Sequence, residues 1–167
     1  MEKIAVLGAG SWGTTLSQVL SDRGAPVTLW AREEEVRESI AKRRVNETFL
    51  PGVVLSEKIT PEASIRAAVE GADFIVSVIP SHGVRAVFSE AGPFIRKDAI
   101  IVSATKGIEE GSMLTPSGIL NEALKGCRHK AIAVLSGPSF ANEVSRRLPA
   151  AVCAASTRTC PRWRRRP

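Results

Sequence analysis

Short apolar runs alternate with amphipathic stretches along nearly the whole chain. Lys3-Ile4-Ala5-Val6-Leu7 reads as a strand, and an amphipathic helix entered through glycines follows it to about Arg23. Residues 26–30 give a second short strand, and residues 33–42 a helix with acids in its first turn. Residues 43–60 show no period, and Pro51-Gly52 marks a turn among them. Pro61 suits the first position of a helix and predicts one running to about Gly71. Residues 73–80 are almost continuously apolar, as in a strand covered on both faces. A helix over 83–91, a strand over 99–103, a helix over 115–124 and a strand over 131–135 follow. A helix over 138–147 and a last strand over 150–155 complete the series. This alternation predicts an α/β fold with an open, doubly wound, mostly parallel sheet. No internal repeat or linker interrupts residues 1–156, which read as one domain.

Composition narrows this picture without redirecting it. The net charge is +6, but Arg158, Arg162, Arg164, Arg165 and Arg166 carry five of those charges, leaving +1 on residues 1–157. The basic tail at 157–167 therefore reads as a disordered end, not as a specific nucleic-acid surface. No apolar stretch approaches the ~20 residues that span a bilayer, and Met1-Glu2-Lys3 runs into a strand without a signal-peptide pattern. Cys127, Cys153 and Cys160 have no paired metal spacing, and an odd count suits reduced thiols in the cytoplasm.

Candidate chemistry begins at Gly8-Ala9-Gly10-Ser11-Trp12-Gly13, a GxGxxG loop placed between a strand and a helix. That context predicts a dinucleotide-binding, Rossmann-like domain. Gly8 permits the tight turn, Gly10 lets the backbone approach a pyrophosphate, and Gly13 lets the helix pack closely. The amides and dipole of the helix then face the phosphates. An acid at the end of the second strand selects NAD in such folds, whereas this chain has Trp30-Ala31-Arg32. Arginine can fork onto a 2′-phosphate, so NADP(H) is favoured and NAD(H) remains possible. A surface Arg32 paired with Glu34 or Glu35 is the plainer alternative, and FAD suits any such loop.

Three further segments fall at the carboxyl ends of strands, where ligands bind in this architecture. They are Val78-Ile79-Pro80-Ser81-His82, Ser103-Ala104-Thr105-Lys106-Gly107-Ile108-Glu109, and Leu135-Ser136-Gly137-Pro138-Ser139-Phe140-Ala141-Asn142-Glu143-Val144. Lys106 reads as a group that polarises a carbonyl or holds an anion, or as a solvated lysine. The Gly137–Ser139 turn can offer amides and a hydroxyl to an oxyanion, although Ser139 also suits an ordinary helix start. His82 has no partner in sequence and reads as structural. Neither a Ser-His-Asp set nor a metal cluster can be assembled.

GAGSWGTTL, NETFLPG at 46–52, KGIE at 106–109 and LSGPSFANEV at 135–144 together resemble the bacterial, soluble, NAD(P)-dependent glycerol-3-phosphate dehydrogenases. The resemblance covers about residues 3–156. It implies that Ser11 and Trp12 touch the dinucleotide, that Arg32 meets the adenosine ribose or its phosphate, and that Phe49 lines the cofactor site. It also implies that Lys106 contacts both cofactor and substrate as the catalytic residue, that Gly137 and Ser139 bind glycerol 3-phosphate, and that Ala141 meets the cofactor. The reaction implied is reversible hydride transfer between NAD(P)H and dihydroxyacetone phosphate, supplying phospholipid synthesis.

The family also has a helical second domain bearing another lysine and most of the remaining substrate contacts. Family-like sequence fades after Ala154-Ala155-Ser156, and the residues beyond read as out-of-frame translation or a truncated gene. The alternative expectation is therefore a fragment that holds NADP(H) but turns nothing over. Such a fragment would expose an apolar face and tend to self-associate.

Overall fold

The computed structural model describes residues 2–156. The expected tail at 157–167 and Cys160 lie outside the described residues. The strands are β1 (Ile4–Leu7), β2 (Val27–Trp30), β3 (Ile59–Glu62), β4 (Phe74–Ser77), β5 (Ile100–Ser103), β6 (Ala131–Ser136) and β7 (Cys153–Ser156). They form one sheet in the order β3-β2-β1-β4-β5-β6-β7. Strands β1 to β6 run parallel, and β7 closes the far side antiparallel to β6. The helices are α1 (Ser11–Asp22), α2 (Glu34–Arg43), α3 (Ile65–Val69), α4 (Ser81–Ala91), α5 (Pro116–Ala123) and α6 (Ala141–Ser145).

The inner strands β1, β4 and β5 are almost wholly apolar because successive side chains enter two separate cores. Ala5, Leu7, Ile75 and Ile101 pack on one face with Phe88 of α4 and Ile119 and Leu120 of α5. Ile4, Val6, Val76 and Leu29 pack on the other with Leu16 of α1 and Ile40 of α2. Two covered faces explain why β4 and β5 lack the alternation of a half-exposed strand. The doubly wound, mostly parallel architecture expected from the sequence is the one observed.

Several boundaries differ from the sequence reading. Pro61 does not begin a helix; it sits in β3, opposite Leu29 of β2. Strand β3 is an edge strand, where the missing proline N–H costs no ladder bond on its open side. The helix starts later, at Ile65, because Ser64 supplies its cap by accepting from the Ala67 amide at 3.2 Å. The 43–60 segment is irregular as expected, yet its Leu50 and Leu55 are buried and its last two residues begin β3. Helix α6 covers only Ala141–Ser145, since the 137–140 turn occupies the start expected for it. Strand β4 stops at Ser77, and α4 starts at Ser81.

Candidate functional site

The β1–α1 loop is built around two glycines that the protein itself requires. Gly8 has φ +113°, and a Cβ there would lie 2.9 Å from the Val78 carbonyl oxygen. A Cβ on Gly13 would lie 1.8 Å from the Gly8 carbonyl oxygen, so α1 rests directly on the loop that precedes it. Gly10, the N-cap of α1, differs: a Cβ there would meet nothing within 4 Å. No side chain caps α1, so its first-turn amides remain open.

The 46–52 segment is latched onto this loop. Buried Asn46 donates from Nδ2 to the Ala9 carbonyl and to Thr14 Oγ1, both at 2.8 Å, and accepts from the Phe49 amide at 3.1 Å. Ser11 Oγ donates to the Phe49 carbonyl. These bonds carry Phe49 to the wall of a cleft of about 760 Å³ at the carboxyl ends of the strands. Asn46 went unassigned in the sequence reading; its place inside the NETFLPG motif was the available signal.

Gly8, Gly10, Ser11, Trp12, Gly13, Arg32, Phe49, Lys106 and Ala141, all nine residues expected near a cofactor, line this one cleft. Trp30 adds an aromatic wall, held by donation from Nε1 to the Ala63 carbonyl at 2.9 Å. The Arg32 side chain is 83% exposed and lies 3.5 Å from Glu33, not from Glu34 or Glu35. A pair so exposed is weak and leaves the guanidinium available to another anion. His82 is exposed in the first turn of α4 and also faces the cleft.

A second cleft of about 380 Å³ adjoins the first, lined by Lys106, Gly137 and Ser139, the three residues expected at a substrate. Lys106 and Ser139 face both clefts. The Lys106 amine donates to the Ser139 carbonyl at 3.2 Å and lies 5.7 Å from the Phe140 ring centre. Gly137 has φ +144°, and a Cβ there would come within 2.5 Å of the Ala151 carbonyl oxygen, so the approach to β7 demands glycine. Ser139 precedes α6 and is not its cap; its hydroxyl donates back to the Gly137 carbonyl at 3.4 Å.

The loop bearing Lys106 is anchored at both ends. Thr105 Oγ1 donates to the Ser77 carbonyl at 3.2 Å, tying β5 to β4. Arg85 of α4 grips Glu109 in a forked pair, at 3.1 Å and 2.6 Å, and also reaches Glu122 of α5 at 2.9 Å. Ser112 Oγ donates to the same Glu109 carboxylate at 2.6 Å. These contacts, Arg85 first, hold the Glu109 carboxyl below the usual carboxylate range. A depressed folded-state value stabilises the fold above the ordinary range and loses that contribution as pH falls through it. Glu109→Gln is therefore expected to melt below the wild type at neutral pH, with the two curves converging in acid. Melting temperatures measured across pH check this.

A strand, glycine loop and helix beside a cleft at the strand ends define a nucleotide-binding domain of the doubly wound class. Within that class, the family model described as "NAD-dependent glycerol-3-phosphate dehydrogenase N-terminus" matches residues 3–160. The chain belongs to that family. It is 47% identical over 152 residues to glycerol-3-phosphate dehydrogenase [NAD(P)+] of Syntrophobacter fumaroxidans, covering 91% of this chain and 45% of the relative. The Citrifermentans bemidjiense enzyme of the same name is 46% identical, with 93% and 47% covered. Among solved structures, glycerol-3-phosphate dehydrogenase from Coxiella burnetii superposes with a TM-score of 0.85 at 36% identity, covering 94% of this chain and 47% of that one. A ketopantoate reductase from Ralstonia eutropha shares the fold alone, at 20% identity and TM-score 0.59, with 83% and 42% covered. The chain spans about half the length of the curated relatives it matches.

Proposed function

We propose that residues 1–156 are the cofactor-binding half of a glycerol-3-phosphate dehydrogenase, which reduces dihydroxyacetone phosphate reversibly with NAD(P)H. The observation that carries this reading is the position of Lys106, in the wall shared by two adjoining clefts. The larger cleft has the size of a ligand site, an uncapped helix start and room beside Gly10 for a phosphate. These features fit a dinucleotide, which supplies the hydride when bound.

The chain's own residues then have separate tasks. Gly10 and the first turn of α1 hold the pyrophosphate, with Ser11 and Trp12 alongside. Phe49 and Ala141 line the cofactor, while Gly137 and Ser139 orient the substrate. Lys106 polarises the carbonyl that is reduced. Its amine already bonds the Ser139 carbonyl, which fixes the cation next to the substrate turn.

NADP(H) is the favoured form, because Arg32 stands where an NAD-selective acid would sit and keeps only a weak partner. Arg32→Ala is expected to weaken NADPH binding about tenfold and leave NADH binding unchanged. Fluorescence titration with both cofactors measures this; equal losses would remove Arg32 from 2′-phosphate recognition. No helix among the described residues is long and apolar enough to cross a membrane. The cytoplasm, with its NAD(P)H and reduced thiols, is the compartment that suits this reading, and phospholipid synthesis is the use.

A second reading concerns the 167 residues alone, as a module that binds cofactor without turnover. Exposed large apolar side chains favour it: Ile108 and Met113 before α5, and Phe140, Leu148 and Val152 between β6 and β7. Such a surface suits a second body, and alone it favours self-association.

A further inference from the structure

We propose that Arg85, which lines neither cleft, is a positioning residue for Lys106: it holds the Glu109 carboxylate away from the lysine and keeps the ammonium free to face a ligand. This rests on the reading of Lys106 as a ligand-facing group given above.

Lys106 is the only cation between β5 and α5, and Glu109 follows it by three residues. Three residues span at most about 11 Å, within the combined reach of a lysine and a glutamate side chain. The two could pair, yet no ion pair among the described residues includes Lys106. Its amine meets the Ser139 carbonyl and the Phe140 ring instead.

The Glu109 side chain is only 12% exposed and is committed elsewhere. Arg85 forks onto both of its oxygens, and Ser112 Oγ adds a third bond. A further guanidinium nitrogen meets Glu122 of α5, so Arg85 is itself fixed between the loop and a second helix. An ammonium in its place could not match that planar fork. Helix α4 holds the loop backbone as well. Ser81 Oγ donates to the Ile108 carbonyl at 3.0 Å, and a Cβ on Gly107 would lie 3.3 Å from that hydroxyl. The backbone contacts place the loop, and the fork decides where its partly buried acid points. A carboxylate so placed and stripped of its cation is costly and seeks another. Pairing with Lys106 would neutralise the one charge that faces both clefts.

Titration of the Lys106 amine by nuclear magnetic resonance tests this, on the 167-residue chain after reductive methylation with isotope-labelled formaldehyde. Arg85→Met is expected to raise the Lys106 midpoint by about half a pH unit, roughly threefold in proton affinity. Arg85→Met/Glu109→Gln should return it to the wild-type value, and Glu109→Gln alone should leave it unmoved. The other titratable groups of this loop, of α6 and of the first turn of α4 are Glu110, Glu143 and His82, all exposed and common to every variant. Three results overturn the proposal: an unmoved midpoint in Arg85→Met, a raised midpoint that persists in the double variant, or a fall in Glu109→Gln alone. The last shows Glu109 already acting on the lysine, and it decides the matter even where Arg85→Met does not fold. Failure of the wild-type chain to bind NADPH would strike the functional reading above, with the Lys106 midpoints still deciding the role of Arg85.

Discussion

Gly10→Ala and Gly13→Ala are both expected to impair cofactor binding severely, by different routes. In Gly13→Ala, the new methyl would sit 1.8 Å from the Gly8 carbonyl oxygen, a backbone atom that cannot swing aside. Helix α1 must lift from its loop, at about 3 kcal/mol or more, the upper end of ordinary overpacking. Melting temperature and binding should fall together. In Gly10→Ala, the methyl meets no protein atom within 4 Å, so stability should stay near wild type. Binding should still weaken on the order of 100-fold, because the methyl occupies the space where a phosphate would meet the α1 amides. Thermal melts and NADPH titrations on both variants separate the cases. Undiminished affinity in Gly10→Ala would move the pyrophosphate away from this loop.

The second large effect concerns turnover. The 167 residues alone are expected to oxidise NADPH with dihydroxyacetone phosphate at least about 1,000-fold more slowly than when a partner half is supplied. Orientation of two reactants and exclusion of water each account for large parts of a barrier, and a cleft open on one side delivers neither. The partner half can come from the Syntrophobacter fumaroxidans enzyme, of which this chain matches 45%. Mixing the two polypeptides should restore NADPH oxidation and cover the apolar side chains around Phe140 and Val152, giving a monodisperse species in sedimentation. Rapid turnover by the 167 residues without that addition would overturn the two-half reading.

The parts of this site that follow from local physics were legible in the chain. A glycine loop between a strand and a helix needs only neighbouring residues, and so Gly8 to Gly13 could be read directly. The two covered faces of the sheet showed in the unbroken apolar runs of β4 and β5. Pro61 misled because its local signal suits a helix start, while its true place is set by pairing with β2, 32 positions earlier at Leu29. The approach of Lys106 to Ser139, 33 residues on, depends on β5 and β6 lying side by side. The strand-end rule put both segments at the ligand face and family resemblance assigned both residues to the substrate, whereas spacing alone gave no contact between them. The grip of Arg85 on Glu109 likewise crosses from α4 to the loop after β5, with no periodic trace in either segment.

Asn46 has a consequence for how a ligand is met. Its side chain joins the Ala9 carbonyl, Thr14 and the Phe49 amide within one buried cluster. The segment that walls the larger cleft is thus ordered when the domain folds, not when something enters the cleft. Fixing one residue's backbone costs about 1–2 kcal/mol, and here folding has absorbed that cost in advance. A ligand entering the cleft then meets a preorganised wall and is spared that ordering cost.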